Sequence, residues 1–228
     1  MFAQQRTTHT HSHMERIFDY RLRNMDSLEN GSAGLVVKDE EGQQFVLTCS
    51  HVALGNGEDL GGFVQNSDQR VLLLKNGLTQ EKGILHYAQF SEWGDVALIQ
   101  VQKAYSNVLP DGTPLVETAE VVPLKVGDFI FFYSSQSRAI VSGEIECVQC
   151  IETISAGGGI SVKFTQIIRF GIREGMDWQT NSAKGDSGSI VFNENFEAIA
   201  LLIGGNDHYS FALPLAPILE RTKTTIKR

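Results

Sequence analysis

The sequence predicts an all-β fold built in two halves. Short apolar runs alternate with clusters of turn residues, such as those at 39–42 and 156–159, along most of the 228-residue chain. Many short strands at this spacing are typical of a β-sandwich or β-barrel, and not of a parallel sheet with crossover helices. Three of the five prolines fall between residues 107 and 125, where apolar and polar residues show little alternation. This segment therefore divides two β-rich halves, as a linker between two barrels does.

Each predicted strand is a short apolar or alternating run that ends at a turn. The strands are expected at 34–38, 44–49, 71–75, 83–88 and 95–102 in the first half, and at 128–134, 138–150, 160–172, 188–193, 197–204 and 209–213 in the second. Residues 14–27 mix charged and apolar residues at near-helical spacing, which indicates a short lead-in helix after a polar tail. A closing helix is expected at 214–223, where Leu215, Ile218 and Leu219 share one face.

The charge of the chain and the lengths of its apolar runs argue against two classes of partner. The net charge is −8. Binding to a nucleic-acid backbone requires clustered lysine and arginine, so no nucleic-acid partner is expected. The apolar runs are far shorter than the roughly 18 residues that span a bilayer, so no membrane partner is expected. The N-terminal segment lacks the continuous apolar stretch of a secretory signal. The sequence leaves the oligomeric state open.

The chain has three cysteines, an odd number that does not suit a disulfide framework. Cys147 and Cys150 form a lone C-x-x-C pair in an apolar, β-rich stretch, with no second pair to complete a zinc site. We therefore expect all the cysteines to be reduced packing residues, Cys49 included. Such usage favours a reducing compartment, and we predict a cytoplasmic protein with no metal and no cofactor.

Three short segments carry the residue types of an activated nucleophile. His51 follows the strand segment L-T-C-S, Asp95 opens the apolar strand D-V-A-L-I, and Ser187 lies between glycines in K-G-D-S-G-S. A serine hydroxyl needs a base to take its proton, and an imidazole suits this because its pKa lies near neutrality. A buried carboxylate fixes the tautomer of that imidazole. The glycines let the backbone N–H groups of Gly185 and Ser187 converge on a developing oxyanion.

The order of these residues is more specific than any one of them. A histidine after a strand, or an aspartate before one, is usually structural. The order His51, Asp95, Ser187 is, however, that of chymotrypsin-type triads. Histidine and aspartate fall in the first half and serine in the second, so we expect the site to lie between the halves. Cys49 lacks neighbouring glycines and is interpreted as buried packing, not as a nucleophile.

These motifs resemble those of the trypsin-like serine peptidases of the chymotrypsin-fold PA clan. T-C-S-H-V resembles the family's T-A-A-H-C, D-V-A-L-I resembles D-I-A-L-L, and G-D-S-G-S differs from G-D-S-G-G only at Ser189. The segments G-S-A-G-L-V-V from Gly31 and F-A-L-P from Phe211 resemble the HtrA-like, bacterial-type branch. No PDZ domain is expected, because the sequence stops at Arg228. The resemblance covers roughly 32–222.

The resemblance implies two antiparallel six-stranded β-barrels with a short C-terminal helix. The corresponding organisation is an N-terminal tail and lead-in at 1–28 and a peptidase domain at 29–228. Within that domain, the first barrel is expected at about 29–110, the second at about 120–214, and the helix at about 214–223.

The same resemblance implies a serine endopeptidase that hydrolyses protein or peptide substrates through an acyl-enzyme. His51 is then the general base, Asp95 its orienting carboxylate and Ser187 the nucleophile. The N–H groups of Gly185 and Ser187 form the oxyanion hole.

Substrate-binding residues are also implied by the resemblance. Asn181, six residues before the nucleophile, corresponds to the base of the pocket for the substrate side chain, where a neutral amide does not favour lysine or arginine. The strand Leu202, Ile203 and Gly204 corresponds to the wall that pairs with an extended substrate backbone.

One departure from the secreted members of this family bears on activity. They pair a freshly cut N-terminus with the aspartate before the nucleophile, and no R-I-V-G-G-type cleavage sequence occurs here. Asp186 therefore needs another partner, such as a backbone donor or Lys184; without one, activity requires a trigger. Two alternatives stay open. One is a catalytically silent or conditionally active module that binds a peptide or protein partner, and the other is an esterase or acyltransferase with the same triad.

Overall fold

The computed structural model describes residues 14–25, 30–55, 63–116, 123–155, 160–171 and 182–227. Within them most regular elements are β-strands, and the two halves of the chain form two separate large sheets. The predicted all-β class is confirmed. The histidine-containing polar tail at 1–13 lies outside the described residues.

The strands are short, as the turn residues between them require. Those of the first half are β1 (Glu15–Arg16), β2 (Arg21–Asn24), β3 (Asn30–Ser32), β4 (Leu35–Lys38), β5 (Gln44–Thr48), β6 (Phe63–Gln65), β7 (Arg70–Lys75), β8 (Leu78–Ser91), β9 (Gly94–Gln100) and β10 (Tyr105–Ser106). Those that follow are β11 (Phe129–Ser134), β12 (Ala139–Ser155), β13 (Ser161–Gly171), β14 (Ile190–Phe192), β15 (Ala198–Gly205), β16 (Tyr209–Pro214) and β17 (Thr225–Ile226). Every strand that the sequence predicts is present, and β8 and β12 are longer than expected.

The second half is the six-stranded barrel that the resemblance implies. Its strands close in the order β11-β12-β13-β16-β15-β14, and all neighbours are antiparallel. Side chains that alternate inward along these strands, such as Ile130 and Phe132 of β11, fill a core of their own. Closure removes the unpaired edges that an open sheet would expose.

The first half departs from the predicted six strands. Among the described residues its curled sheet has nine strands, in the order β17-β4-β5-β9-β8-β7-β2-β3, with β6 paired to β8. The additional strands include β2 near the N-terminus and β17 near the C-terminus, which pair with β7 and β4 respectively. The predicted boundaries of the tail and of the two barrels stay predictions.

The lead-in helix predicted at 14–27 is wrong. Ile17–Asp19 form a single turn of 3-10 helix, and strand β2 follows it. In β2, Leu22 and Asn24 are buried while Arg21 and Arg23 are half-buried, which is the two-residue period of a strand. The alternation is hard to recognise in the sequence because two consecutive apolar residues, Ile17 and Phe18, are both buried in the preceding turn.

Two short α-helices complete the described elements. Helix α1 (Ser50–Leu54), which the sequence did not predict, begins directly after β5 and Cys49. Helix α2 (Leu215–Thr222) confirms the predicted closing helix; it buries Leu215 and Ile218 and ends at Lys223, which has a left-handed φ of 52°. No helix in the described part of the chain has the length and apolar character needed to cross a membrane.

The prediction of reduced cysteines is wrong for two of the three. Cys147 and Cys150 form a disulfide within β12. A regular strand places residues i and i+3 on opposite faces. The pairing of β12 with β13 shifts register between these cysteines and on both sides of them, and such bulges bring the two side chains together. Cys49 is free and buried, as expected. The disulfide removes one argument for a cytoplasmic location, which stays a prediction.

The larger hydrophobic core runs through the boundary between the two halves. It includes Val52 and Phe90 from the first half and Phe164, Ile203 and Phe211 from the second. The rings of Phe90 and Phe164 meet edge to face across this boundary, with centroids 6.1 Å apart. Phe90 also lines a cleft with His51 and Ser187, and it lies opposite Asp95 where β8 pairs with β9.

Candidate active site

His51 and Asp95 come together because their strands are neighbours. Strands β5 and β9 pair antiparallel, with Thr48 opposite Ala97, so the end of β5 lies beside the start of β9. His51 follows β5 in the first turn of α1, and Asp95 is the second residue of β9. Sequence positions that are far apart therefore meet at one end of the sheet.

The two side chains form a close, oriented pair. His51 Nδ1 lies 2.5 Å from Asp95 Oδ2, and the backbone N–H of His51 donates to Asp95 Oδ1 at 3.1 Å. Asp95 is 1% exposed, whereas the imidazole is 20% exposed. Because an ionised carboxylate can only accept hydrogen bonds, the Nδ1 atom carries the proton and Nε2 is left as the basic nitrogen.

Ser187 lies in the same cleft as His51. The cleft has a volume of about 350 Å³ and lies between the end of β15 and residues 152–155 of β12. Ser187 Oγ donates to the carbonyl of Ile203 in β15 at 3.4 Å. The predicted triad residues are therefore gathered at the boundary between the halves, as the chain order indicated.

The loop that carries Ser187 is clamped by strand β3 of the first half. Ser32 N–H donates to Ser187 O at 2.8 Å, and Ser32 Oγ donates to Gly185 O at 3.2 Å. On the other side, Gly188 N–H donates to Leu202 O at 2.8 Å. A side chain at Gly188 would lie 2.4 Å from Ser32 O, so only glycine fits there. The loop that carries Ser187 is thus held from both halves.

Comparison with solved structures identifies this architecture. Nocardiopsis protease (NAPase) matches with a TM-score of 0.65 and 14% identity, over 94% of this chain and 98% of that one. Thermobifida fusca protease A matches with a TM-score of 0.66 and 15% identity, over 92% and 97% of the two chains. Cellulomonas bogoriensis chymotrypsin matches with a TM-score of 0.63 and 18% identity, over 94% and 99%.

The chain has the chymotrypsin fold. At these identities the likeness concerns the fold and not the activity. No model of a known protein family matches the sequence, and no curated protein matches it. The chymotrypsin fold is therefore recognised here from the structure and from the three motifs.

The predicted oxyanion donors belong to a short loop of this chymotrypsin fold. Gly185 has a φ of +100°, a conformation that residues with a Cβ rarely adopt. Among the described residues no acceptor binds the backbone N–H of Gly185 or of Ser187. Both N–H groups are thus available for a negatively charged oxygen.

The structure shows which groups contact the Asp186 carboxylate, a question that the sequence left open. The carboxylate is 1% exposed, and it accepts hydrogen bonds from Ser134 Oγ at 2.8 Å and from the backbone N–H of Ala183 at 2.9 Å. The basic group whose charge acts on Asp186 is Arg21 of β2. Burial lowers the pKa of the Arg21 guanidinium, and the Asp186 carboxylate opposes this shift.

No motif in the sequence marked Ser134 or Arg21 as a partner of Asp186. Ser134 ends β11 and Arg21 belongs to β2, whose N-terminal position in the first-half sheet was not predicted. The backbone donor at Ala183 is the kind of partner that was expected. The alternation of buried and half-buried residues in β2 is the one pattern that would have placed Arg21 on a strand.

Cys49 is buried behind the His51–Asp95 pair. Its Sγ donates to the carbonyl of Leu202 at 3.2 Å. Burial raises the pKa of the thiol well above its usual range, and the nearby Asp95 carboxylate raises it further. A thiolate is therefore disfavoured, consistent with packing.

The ligand atoms of Cys49, His51 and Asp95 lie within 4.8 Å of one another. They are the one group in the described ranges that could hold a metal ion.

The predicted substrate-binding residues lie at different depths. Ile203 and Gly204 line the cleft, whereas Leu202 is fully buried in the core of the second barrel and contributes its carbonyl beneath the site. Asn181 lies outside the described residues. The neighbouring Ser182 donates through Oγ to Gly204 O at 3.3 Å.

Residues 152–155 of β12, which line the opposite side of the cleft, were not predicted. The register shifts in β12 decide which of their side chains face inward, and such shifts are not visible in a single sequence.

Proposed function

We propose that the protein is a serine endopeptidase that cleaves proteins or peptides through an acyl-enzyme. The observation that carries this proposal is the oriented His51–Asp95 pair, joined at 2.5 Å, in a cleft that Ser187 also lines. The chymotrypsin fold and the residue order of the three motifs support it.

In the proposed reaction, Ser187 Oγ attacks the carbonyl carbon of the scissile peptide bond while His51 Nε2 takes the hydroxyl proton. Asp95 stabilises the imidazolium that forms. The carbonyl oxygen becomes an oxyanion, which the N–H groups of Gly185 and Ser187 bind. The imidazolium then donates its proton to the leaving amine, and the C–N bond breaks. Water, activated by His51, hydrolyses the resulting ester and regenerates the serine.

Substrate binding is proposed to occur by strand addition along the end of β15. Ile203 and Gly204 lie at the cleft, and the chain shifts register between Leu202 and Gly204. Such a bulge turns backbone groups away from the barrel ladder, so that an extended peptide can pair with them.

A fluorophosphonate probe tests the proposed nucleophile, because it reacts strongly in preference with activated serines. We expect the wild-type protein to be labelled and peptide mapping by mass spectrometry to place the adduct on Ser187. Ser187→Ala should abolish labelling. Ser189→Ala, which removes the buried hydroxyl that donates to Tyr133 O at 3.2 Å, is the matched control and should keep the adduct. An adduct that persists in Ser187→Ala contradicts the assignment.

One contact favours the alternative of a conditionally active module. Ser187 Oγ donates to Ile203 O, a carbonyl of the strand on which the substrate backbone is proposed to pair. In this alternative, a bound peptide frees the hydroxyl. A labelling rate that rises when a non-cleavable peptide is added supports it. Labelling without peptide that is already as fast as labelling with peptide excludes it. Comparing the hydrolysis of matched amide and ester substrates separates a peptidase from an esterase.

A further inference from the structure

A second cavity lies behind the nucleophile loop. Its volume is about 390 Å³, and its walls come from β2, from the turn after β7 and from the turn between β11 and β12. It shares no described lining residue with the catalytic cleft. We call it the Arg21 cavity, after the residue of β2 that lines it together with Arg138 and Gln136.

The Arg21 cavity is basic in a chain whose net charge is −8. Its described lining residues include four cations and one carboxylate, namely Arg16, Arg21, Lys75, Arg138 and Asp19. The local excess of positive charge is therefore opposite in sign to that of the whole molecule. Such a concave positive surface attracts anions.

Two of the four cations are already neutralised. Asp19 pairs with Arg16 at 3.1 Å and with Lys75 at 3.5 Å. Lys75 also pairs with Glu15 at 2.9 Å. These contacts belong to the packing of the N-terminal segment on β7, and they leave Arg16 and Lys75 little free charge for a ligand.

The other two cations have no ion pair within 4.0 Å in the described part of the chain. Arg138 donates to a neutral acceptor, the amide oxygen of Asn76, at 3.0 Å. Arg21 Nε is buried, and no described residue accepts its hydrogen bond. Asp186 attracts Arg21 electrostatically, but among the described residues no hydrogen bond joins the two side chains; Asp186 accepts from Ser134 and from Ala183. Because this Nε atom has almost no accessible surface, an anion in the cavity would meet Arg21 at its terminal nitrogens, which pair readily with phosphate oxygens.

We propose that the Arg21 cavity binds a small phosphate-bearing anion through Arg21 and Arg138. Guanidinium groups present paired donors that match the oxygens of phosphate. A phosphate offers two charges and at least three acceptor oxygens, which fits the Gln136 amide and two arginines that have no ion pair among the described residues better than a monovalent carboxylate does. The volume is within the range of small-molecule sites. This proposal does not depend on the proposed peptidase function.

The bound anion lies close to the nucleophile loop. A Cβ at Gly185 would lie 2.9 Å from Arg21 Nη2 and 2.0 Å from Gln136 Nε2, so both side chains pack against the back of this loop. The site is thus separate from the cleft but in contact with the segment that carries the proposed oxyanion donors.

Phosphate binding can be measured without any peptidase activity. The full chain carrying Ser187→Ala is titrated with sodium phosphate, with sodium chloride added to hold the ionic strength constant, and the thermal unfolding midpoint and the heat of binding are recorded. We expect a saturable rise in the midpoint. In the same background, Arg138→Gln, a change at an exposed residue, should weaken binding about tenfold because one charge-assisted hydrogen bond is lost.

Controls separate a site from a general effect of salt. Arg70→Gln removes an exposed charge outside the cavity and should leave phosphate affinity unchanged. Arg21→Gln should abolish saturable binding. If phosphate stabilises the protein no more than chloride, or binds Arg138→Gln as tightly as Arg70→Gln, the proposal is overturned. Acetate binding as tightly as phosphate overturns the assignment to phosphate.

Discussion

Gly188, the residue after the proposed nucleophile, provides a direct test of how tightly the loop is clamped. Its φ is +94°, and a Cβ would lie 2.4 Å from both Ser32 O and Thr48 Oγ1. The left-handed conformation costs a residue with a Cβ about 1–2 kcal/mol. Forcing a methyl group into a packed site costs about 1–3 kcal/mol more. Gly188→Ala should therefore destabilise the fold by about 2–5 kcal/mol.

Gly42→Ala is the matched control for this substitution. Gly42 has a similar φ of +82°, but no atom lies within 4 Å of the position of its Cβ. Only the conformational cost applies, so the expected destabilisation is about 1–2 kcal/mol. The free energies of unfolding of both variants are obtained from urea titrations followed by circular dichroism.

Activity provides a second readout of the same change. To relieve the contact, Gly188→Ala must move the backbone that Ser32 holds through Ser187 O at 2.8 Å. A displacement of about 1 Å at a nucleophile reduces kcat by about 10²-fold. Gly42→Ala should leave kcat unchanged. If Gly188→Ala is no less stable than Gly42→Ala, the loop is not clamped as described and the reasoning fails.

Four further predictions follow from individual contacts. Asp95→Asn should lower kcat for peptide hydrolysis by about 10⁴-fold without unfolding the protein, because an amide does not hold the required imidazole tautomer; unchanged turnover contradicts the triad. Ser134→Ala removes a donor to the buried Asp186 carboxylate and should lower the free energy of unfolding by about 1–3 kcal/mol in urea titrations; wild-type stability would show that the bond contributes nothing. The hydrogen bond from Tyr20, and then that from Lys75, lowers the pKa of Glu15, so its contribution is present at neutral pH and is lost on acidification; Glu15→Gln should lose stability at neutral pH but not in acid. Cys49 should resist iodoacetamide in the native protein and react on unfolding, since burial raises its pKa; alkylation of native protein, detected by mass spectrometry, refutes this.

A strand could be predicted where the pattern of its own residues indicates that it is buried. Strand β9 contains an apolar run at 96–99 and β11 is an apolar run at 129–133, so both were found from the sequence. Strand β2 is short and charged, and it is stabilised by pairing with β3 and β7. A contact of this kind depends on tertiary structure, which a local pattern does not contain. The disulfide between Cys147 and Cys150 was missed for the same reason, because it depends on bulges in β12.

The residues of the candidate site also fall into those that the sequence marked and those that it did not. His51, Asp95 and Ser187 each lie in a short motif whose chemistry is recognisable from the residue types and their order. The partners of Asp186 are different, because Ser134 and Arg21 come from two other strands and acquire a role only through their position. No spacing rule in the sequence joins these residues. The sequence therefore indicated which groups we propose to react, but not which contacts hold the Ser187 loop in place.

The partners of Asp186 bear on the requirement for a trigger. A trigger was expected only if this buried carboxylate had no partner, as when a freshly cut N-terminus must supply one. Here Ser134 Oγ and Ala183 N–H bind its two oxygens at 2.8 and 2.9 Å, and the charge of Arg21 attracts it. All three groups lie within the described residues, so a freshly cut N-terminus is not needed to give Asp186 its partners. On the proposed function, any control of activity must therefore act elsewhere, and the contact between Ser187 Oγ and Ile203 O is where a bound peptide would exert it.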